Sequence, residues 1–193
     1  MNAITQIITQ QLSGNASRII AQRFGISEST ANTAVQMAVP LILAGLARNA
    51  TKPSEAESLH NAISNDHDGG IFDNLMGYLG NPQSANGSGI LGHVFGTQRP
   101  AIESNLAQAT GMDQNAAGGI METLAPLVMG SLGKAQQENG LDASGLANLL
   151  NGQQQEAQAN APDAMSMLSS MLDQNKDGSS VDDLQRMAAN FFK

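Results

Sequence analysis

The stretch of this 193-residue chain that comes nearest to a metal site is DQNKDGSSVDDL, residues 173–184. In an EF-hand loop, oxygen ligands come from positions 1, 3 and 5, and a glycine at position 6 makes the sharp turn. Position 7 gives its backbone carbonyl, and a bidentate acid at position 12 closes the shell. Asp173, Asn175, Asp177, Gly178 and the carbonyl of Ser179 match the first half. The second half departs from it, with Ser180 and Val181 at positions 8 and 9 and Leu184 at position 12. Asp182 or Asp183 would have to close the shell from a slightly shortened loop, which the variable oxygen number of calcium sites permits. Calcium is one expectation for these residues. The other is an Asp-Gly turn followed by a helix cap at Asp182. A sibling stretch, SNDHDGGIFDNL at 64–75, keeps the turn with Ser64, Asp66 and Asp68 and has Asp73 at the capping position, which favours a shared structural role.

Other chemistry finds little support. Nucleophilic catalysis by serine needs a base and an oriented acid, but the chain has three His, no GxSxG elbow and no Cys. GSGILGHVFG (87–96) is rich in glycine, but neither a strand pattern nor a Lys follows it, as a phosphate-binding loop would need. His60 and His67 lie seven residues apart, a spacing that places two imidazoles on one helix face, but His67 falls in the Asp-Gly turn, where the helix should already have ended. His93 reads as a partly exposed helix residue. The expectation is a protein that is not an enzyme.

The segment IIAQRFGISESTANTAV (19–35) resembles a helix-turn-helix, with Gly25 at the turn and Val35 in the second helix. Its reading helix would offer Glu28 and no Lys or Arg. The same corner recurs at Gly111 with no basic residue in its second helix. DNA binding, with Arg18 and Arg23 on phosphates, is the alternative to a structural corner. The net charge of −8, from 9 Lys+Arg and 17 Asp+Glu, provides no basic stripe, so nucleic acid is a poor partner.

These motifs must be positioned by helices. The chain is 41% apolar, enough for a core, and only 3% aromatic, which favours packed helices over sheets. The absence of Cys and of a basic, apolar leader fits the cytoplasm. The longest apolar run, Met37 to Ala47, is about half of the roughly 20 residues that a membrane span requires, so it should be a core segment and not a span.

The chain also matches itself. Residues 19–47 align without a gap on 105–133, placing Gly25 on Gly111, Pro40 on Pro126 and Leu41 on Leu127. Each copy reads as helix, corner, helix: glycine closes the first helix, Ile26 or Met112 packs back, and Ser27 or Asp113 caps the second. Pro40 and Pro126 should kink or restart the second helix near Val39 and Ala125, leaving the following segment buried. The fold expected is all-α, two related helical units packed into one helical domain of about ten short helices. The first unit is 1–79 and the second 90–150. A Gly/Asn/Ser-rich loop (80–89) joins them, a Gln/Ala-rich linker (151–163) follows, and 164–193 forms a C-terminal helix, Asp-Gly loop and helix.

Three stretches carry a family likeness: GILGHVFG at Gly89 to Gly96, APLVMGSLG at Ala125 to Gly133, and the closing DxNxDGSSxDDL. The chain resembles the bacterial domain of unknown function 937 family, which includes YidB-like proteins, over most of its length. The resemblance implies a helical bacterial protein with no assigned activity. The reading is therefore of an interaction or assembly module that binds a protein partner or associates with itself. Met165, Met167 and Met171, with Leu168 and Leu172, form an apolar C-terminal helix face that would serve an adaptable partner or, more simply, a core contact.

Overall fold

Two corners start the helices that carry the core. The computed structural model describes residue 8, residues 10–12 and residues 14–160, and among these it is helical with no strand. Helix α1 (Asn15–Phe24) ends at Gly25, φ 65°, and the Ile26 N–H reaches back 3.0 Å to the Ala21 carbonyl. Ser27 then accepts the Thr30 N–H at 3.0 Å and opens α2 (Glu28–Asn49). The second corner repeats this geometry far along the chain. α6 (Arg99–Thr110) ends at Gly111, φ 70°, and the Met112 N–H bonds to the Ala107 carbonyl at 3.0 Å. Asp113 caps α7 (Gln114–Asn139) by accepting the Ala116 N–H at 3.0 Å. Both glycines hold the left-handed conformation that a closing helix requires.

α2 and α7 form the centre, packed on each other and covered by their neighbours. Of the kink or restart expected near Val39 and Ala125, the restart does not occur: each helix continues through its proline, with 22 residues in α2 and 26 in α7. These are long elements, not the short ones expected. A mid-helix proline costs about 3 kcal/mol locally. Here both are flanked by side chains buried on all sides, Val39, Leu41 and Ile42 in one case and Ala125, Leu127 and Val128 in the other, and that packing outweighs the lost bond. α2 is long and apolar enough to cross a membrane by length and composition, yet 72% of its most apolar stretch is buried inside the fold.

The remaining elements cover this pair. α3 (Pro53–Asp66) starts on a proline and lies against α8 (Ala143–Asn160), which also covers α2. A 3₁₀ turn at Gly70–Phe72 leads to α4 (Leu75–Gly80), and a second at Pro82–Ala85 leads to α5 (Gly87–Phe95). The stretch 80–89 is thus mostly turned backbone and not an open loop. Residues 151–160 of the expected linker are helical, because the buried Leu146, Leu150 and Gln153 hold α8 against the core. Asp73 does not cap α4. It sits in the turn with helical φ and ψ, so the cap falls on Asn74, whose Oδ1 accepts the Gly77 N–H at 3.1 Å.

Polar ties fix the outer helices. Arg48 and Asn49, at the end of α2, donate to the Val94 and His93 carbonyls at 3.3 and 3.1 Å, satisfying the C-terminus of α5. Burial lowers the Arg48 pKa from its ordinary value. Arg99 joins three helices through Glu103 (2.6 Å), Glu122 and the Ser88 carbonyl (3.1 Å). Burial opposes its charge, but the hydrogen bonds to Glu103 and Glu122 outweigh that and raise its pKa.

Backbones also meet directly. A Cβ on Gly133 of α7 would overlap the His67 carbonyl, and one on Gly87 would overlap the Glu122 carbonyl. Gly133→Ala is expected to destabilise the protein by about 2 kcal/mol or more, the cost of overpacking against an atom that cannot rotate away. Gly92→Ala, in α5 with nothing within 4 Å, should stabilise it by roughly 0.5–1 kcal/mol. Urea unfolding of the two variants measures both changes, and opposite signs are expected.

Candidate functional site: a groove beside the Asp-Gly turn

The sibling turn at 64–75 borders a groove of about 700 Å³. One side comes from the end of α3 and the chain after it, Asp66 to Ile71; Asn74, Gly77 and Tyr78 follow from α4 and its cap; Asn81, Ser84, Ala85 and Asn86 come from the approach to α5, and Ile90 from α5 itself. Gly130 of α7 contributes bare backbone. The volume lies within the roughly 300–1,000 Å³ of ligand pockets.

Each segment is held by identifiable bonds. Asp68 Oδ1 accepts the Gly70 N–H at 2.9 Å, a local Asx turn that Gly69 at φ 95° completes. The Gln137 amide donates to the Asp68 carbonyl at 3.2 Å, and Gln136 donates to Ser64 at 2.7 Å and lies 3.0 Å from His60 Nε2. Both glutamines belong to α7, so the end of α3 and the turn are fastened to the central helix. Tyr78 donates its hydroxyl to the Thr123 carbonyl at 2.7 Å. Burial raises the Tyr78 pKa above its ordinary value, with Arg23 opposing weakly, so the phenol stays a neutral donor. Asn86 has φ 49°, the single positive φ outside glycine among the described residues, and its Oδ1 accepts the Gly89 N–H at 3.3 Å to start α5. Left-handed backbone at a non-glycine residue is uncommon, and Asn tolerates it best.

A smaller cleft of about 130 Å³ lies nearby, lined by Arg23, Ser88, Glu122 and Thr123 among others. Its carboxylate is already engaged, since Glu122 pairs with Arg99.

The calcium candidates Asp173, Asn175, Asp177, Ser179, Asp182 and Asp183 lie outside the described residues, as does the methionine-bearing segment. Among the described residues no group of three or more His, Asp or Glu is placed to hold a metal. Asp68 of the sibling turn spends an oxygen on its own backbone. The corner that resembles a helix-turn-helix is present, but Ala31, Ala34, Val35 and Ala38 of its second helix are buried, and Arg18 pairs with Glu28 at 3.2 Å. His67 ends α3, as its position in the turn led one to expect, while His93 is exposed in the last turn of α5. The sequence reading missed Tyr78 and Asn86. The only Tyr in the chain and the ANG sequence ahead of α5 were the available signals.

The model of a family of bacterial proteins of unknown function, DUF937, matches residues 6–135, a span that contains the whole groove. No curated protein and no solved structure matches the chain.

Burial lowers the His67 pKa, with Asp66 opposing. Between that lowered value and about 6.5, where an unfolded imidazole titrates, the unfolded chain binds more protons, so stability rises with pH across this window. The contribution is fully present above about 6.5 and is lost as pH falls below it. The melting temperature should therefore fall between pH 7 and pH 5, and His67→Gln should flatten part of that slope. A slope identical in the variant would remove His67 from the account.

Proposed function

The chain belongs to the DUF937 family of bacterial proteins of unknown function, and from that premise we propose that it acts by binding, as a non-catalytic protein-interaction module whose contact surface is the groove at Asp66 to Ile90. The observation that carries this reading is the state of the polar groups there. The Tyr78 hydroxyl is spent on the Thr123 carbonyl, and one oxygen of Asp68 and the side-chain oxygens of Asn74 and Asn86 are spent on local N–H groups. What remains in the groove suits recognition: carboxamide N–H donors, an unshared carboxylate oxygen and partly buried Ile71 and Ile90. The groove also lies inside the family-matched span, whereas residues 164–193 do not.

The matching corners support a further reading, that residues 19–47 and 105–133 descend from one duplicated helical unit. The burial of α2 supports its role as a core helix, in keeping with a cytoplasmic protein. Self-association through a broad apolar face has less behind it, because Met76, 46% exposed, is the exposed large hydrophobic among the described residues.

A photo-crosslinking amino acid at Ser84, in the full chain expressed in its own bacterium, should give a discrete adduct, with Asn32 on the exposed side of α2 as the control position. Asn81→Trp should suppress the adduct without changing the melt. An adduct yield at Ser84 no greater than at Asn32 would defeat the groove as an interaction surface.

Calcium at residues 173–184 is a separate proposal, supported by the spacing of Asp173, Asn175, Asp177 and Gly178. Calorimetry should show binding of modest affinity and a raised melting temperature, both lost in Asp177→Ala. No heat at millimolar calcium with an unchanged melt would make this loop a helix connector.

A further inference from the structure

The charges that line the groove are of one sign, while the Lys134 stem lies against Gly69 at its edge. Asp66 and Asp68 face it, and none of its lining residues is Lys or Arg. Both carboxylates are exposed. Asp66 is the last residue of α3, at the end of the helix where the unsatisfied carbonyls make a negative charge unfavourable. It has no hydrogen bond or ion pair to offset that cost within the described residues. Asp68 gives one oxygen to the Gly70 N–H and keeps the other. Between them His67 is half-buried, and burial favours its neutral form, so it supplies no competing cation.

We propose that the groove binds a basic, extended segment of a partner protein, with Lys or Arg side chains on Asp66 and Asp68. The proposal rests on the interaction reading above and adds the chemistry of the partner. Asn74 and Asn86 use their oxygens as helix caps, which turns their amide N–H groups into donors for main-chain carbonyls of an extended peptide. Ile71 and Ile90 offer apolar surface to the aliphatic stems of Lys or Arg, whose charged heads then reach the rim. A nucleic acid would bring phosphates to two carboxylates, so the charge that attracts a basic peptide excludes it.

Amide resonances of the ¹⁵N-labelled full chain report the binding. The probe is a decapeptide of alternating Lys and Ala, compared with the same peptide carrying Glu for Lys and with spermidine. The Lys peptide should shift Gly69, Gly70 and Gly77 saturably, and the Glu peptide should not. Raising the salt from about 50 to 300 mM should weaken the interaction, since exposed charges are screened over about a Debye length. Asp66→Asn with Asp68→Asn should weaken it by roughly three- to tenfold, the range expected for two exposed ion pairs. Asn at 68 still accepts the Gly70 N–H, so the turn is kept, and the salt titration of the unaltered chain gives an answer independent of the variant's folding. Equal shifts with both peptides, shifts confined to other surfaces, or spermidine acting as strongly as the Lys peptide would each overturn the inference. If the Ser84 adduct forms while the peptides are not discriminated, the basic partner fails and the interaction surface stands. If the adduct is absent, the surface itself fails.

Discussion

The His67 carbonyl rests on α7 at a point where any side chain would collide with it, and Gly133 is the residue that leaves the space. The same helix receives Ile71 at Gly130, while its Glu122 carbonyl receives Gly87 of α5. α7 is thus a rail on which two separate pieces of chain are seated, backbone against backbone. Eleven residues from 122 to 133 span about 16 Å of helix. The groove is the space left between the two seats, and Gly130, lying between them, contributes to its lining. Its width is therefore set by the register of one long helix and not by loop flexibility.

That rail must be straight enough and stable enough to carry both seats, although it contains a proline. The burial of Ala125, Leu127 and Val128 around Pro126 provides the compensation, and α2 does the same around Pro40 through Val39, Leu41 and Ile42. The two helices cover each other, α8 covers α2, and α5 and α6 cover α7. Polar ties then hold the covering elements in place: Arg48 and Asn49 at the end of α5, Arg99 among α5, α6 and α7, and Gln136 and Gln137 at the end of α3. The outer helices depend on the core for burial, and the core depends on them for cover.

The helical class and both corners were legible because their signals are local: Gly25 and Gly111 need positive φ, and Ser27 and Asp113 reach N–H groups three residues on. The helix ends were misjudged where a local rule met tertiary packing. Pro40 and Pro126 suggested a kink or a restart, and with the packing around them both helices run on without a restart. Asp73 looked like a cap by its position in DGGIFDN, yet the 3₁₀ turn at Gly70–Phe72 carried the chain one residue further, and Asn74 took the role. The groove was not legible, because it needs residues 66–90 and Gly130 brought together, and no spacing rule joins them. Of its lining, Asp66, His67 and Asp68 had been singled out, as members of the turn.

Local energetics and structure also disagree along the groove. Asp66 places a carboxylate at the unfavourable end of α3, and Asn86 accepts a left-handed backbone in a position where glycine would fit more easily. In the core the prolines of α2 and α7 depart from local preference as well, and the burial around them compensates. Asp66 and Asn86 are exposed and have no such burial to offset their departures, which is what a requirement outside folding would produce. A cation brought by a partner, as proposed above, would supply the counter-charge that Asp66 lacks among the described residues.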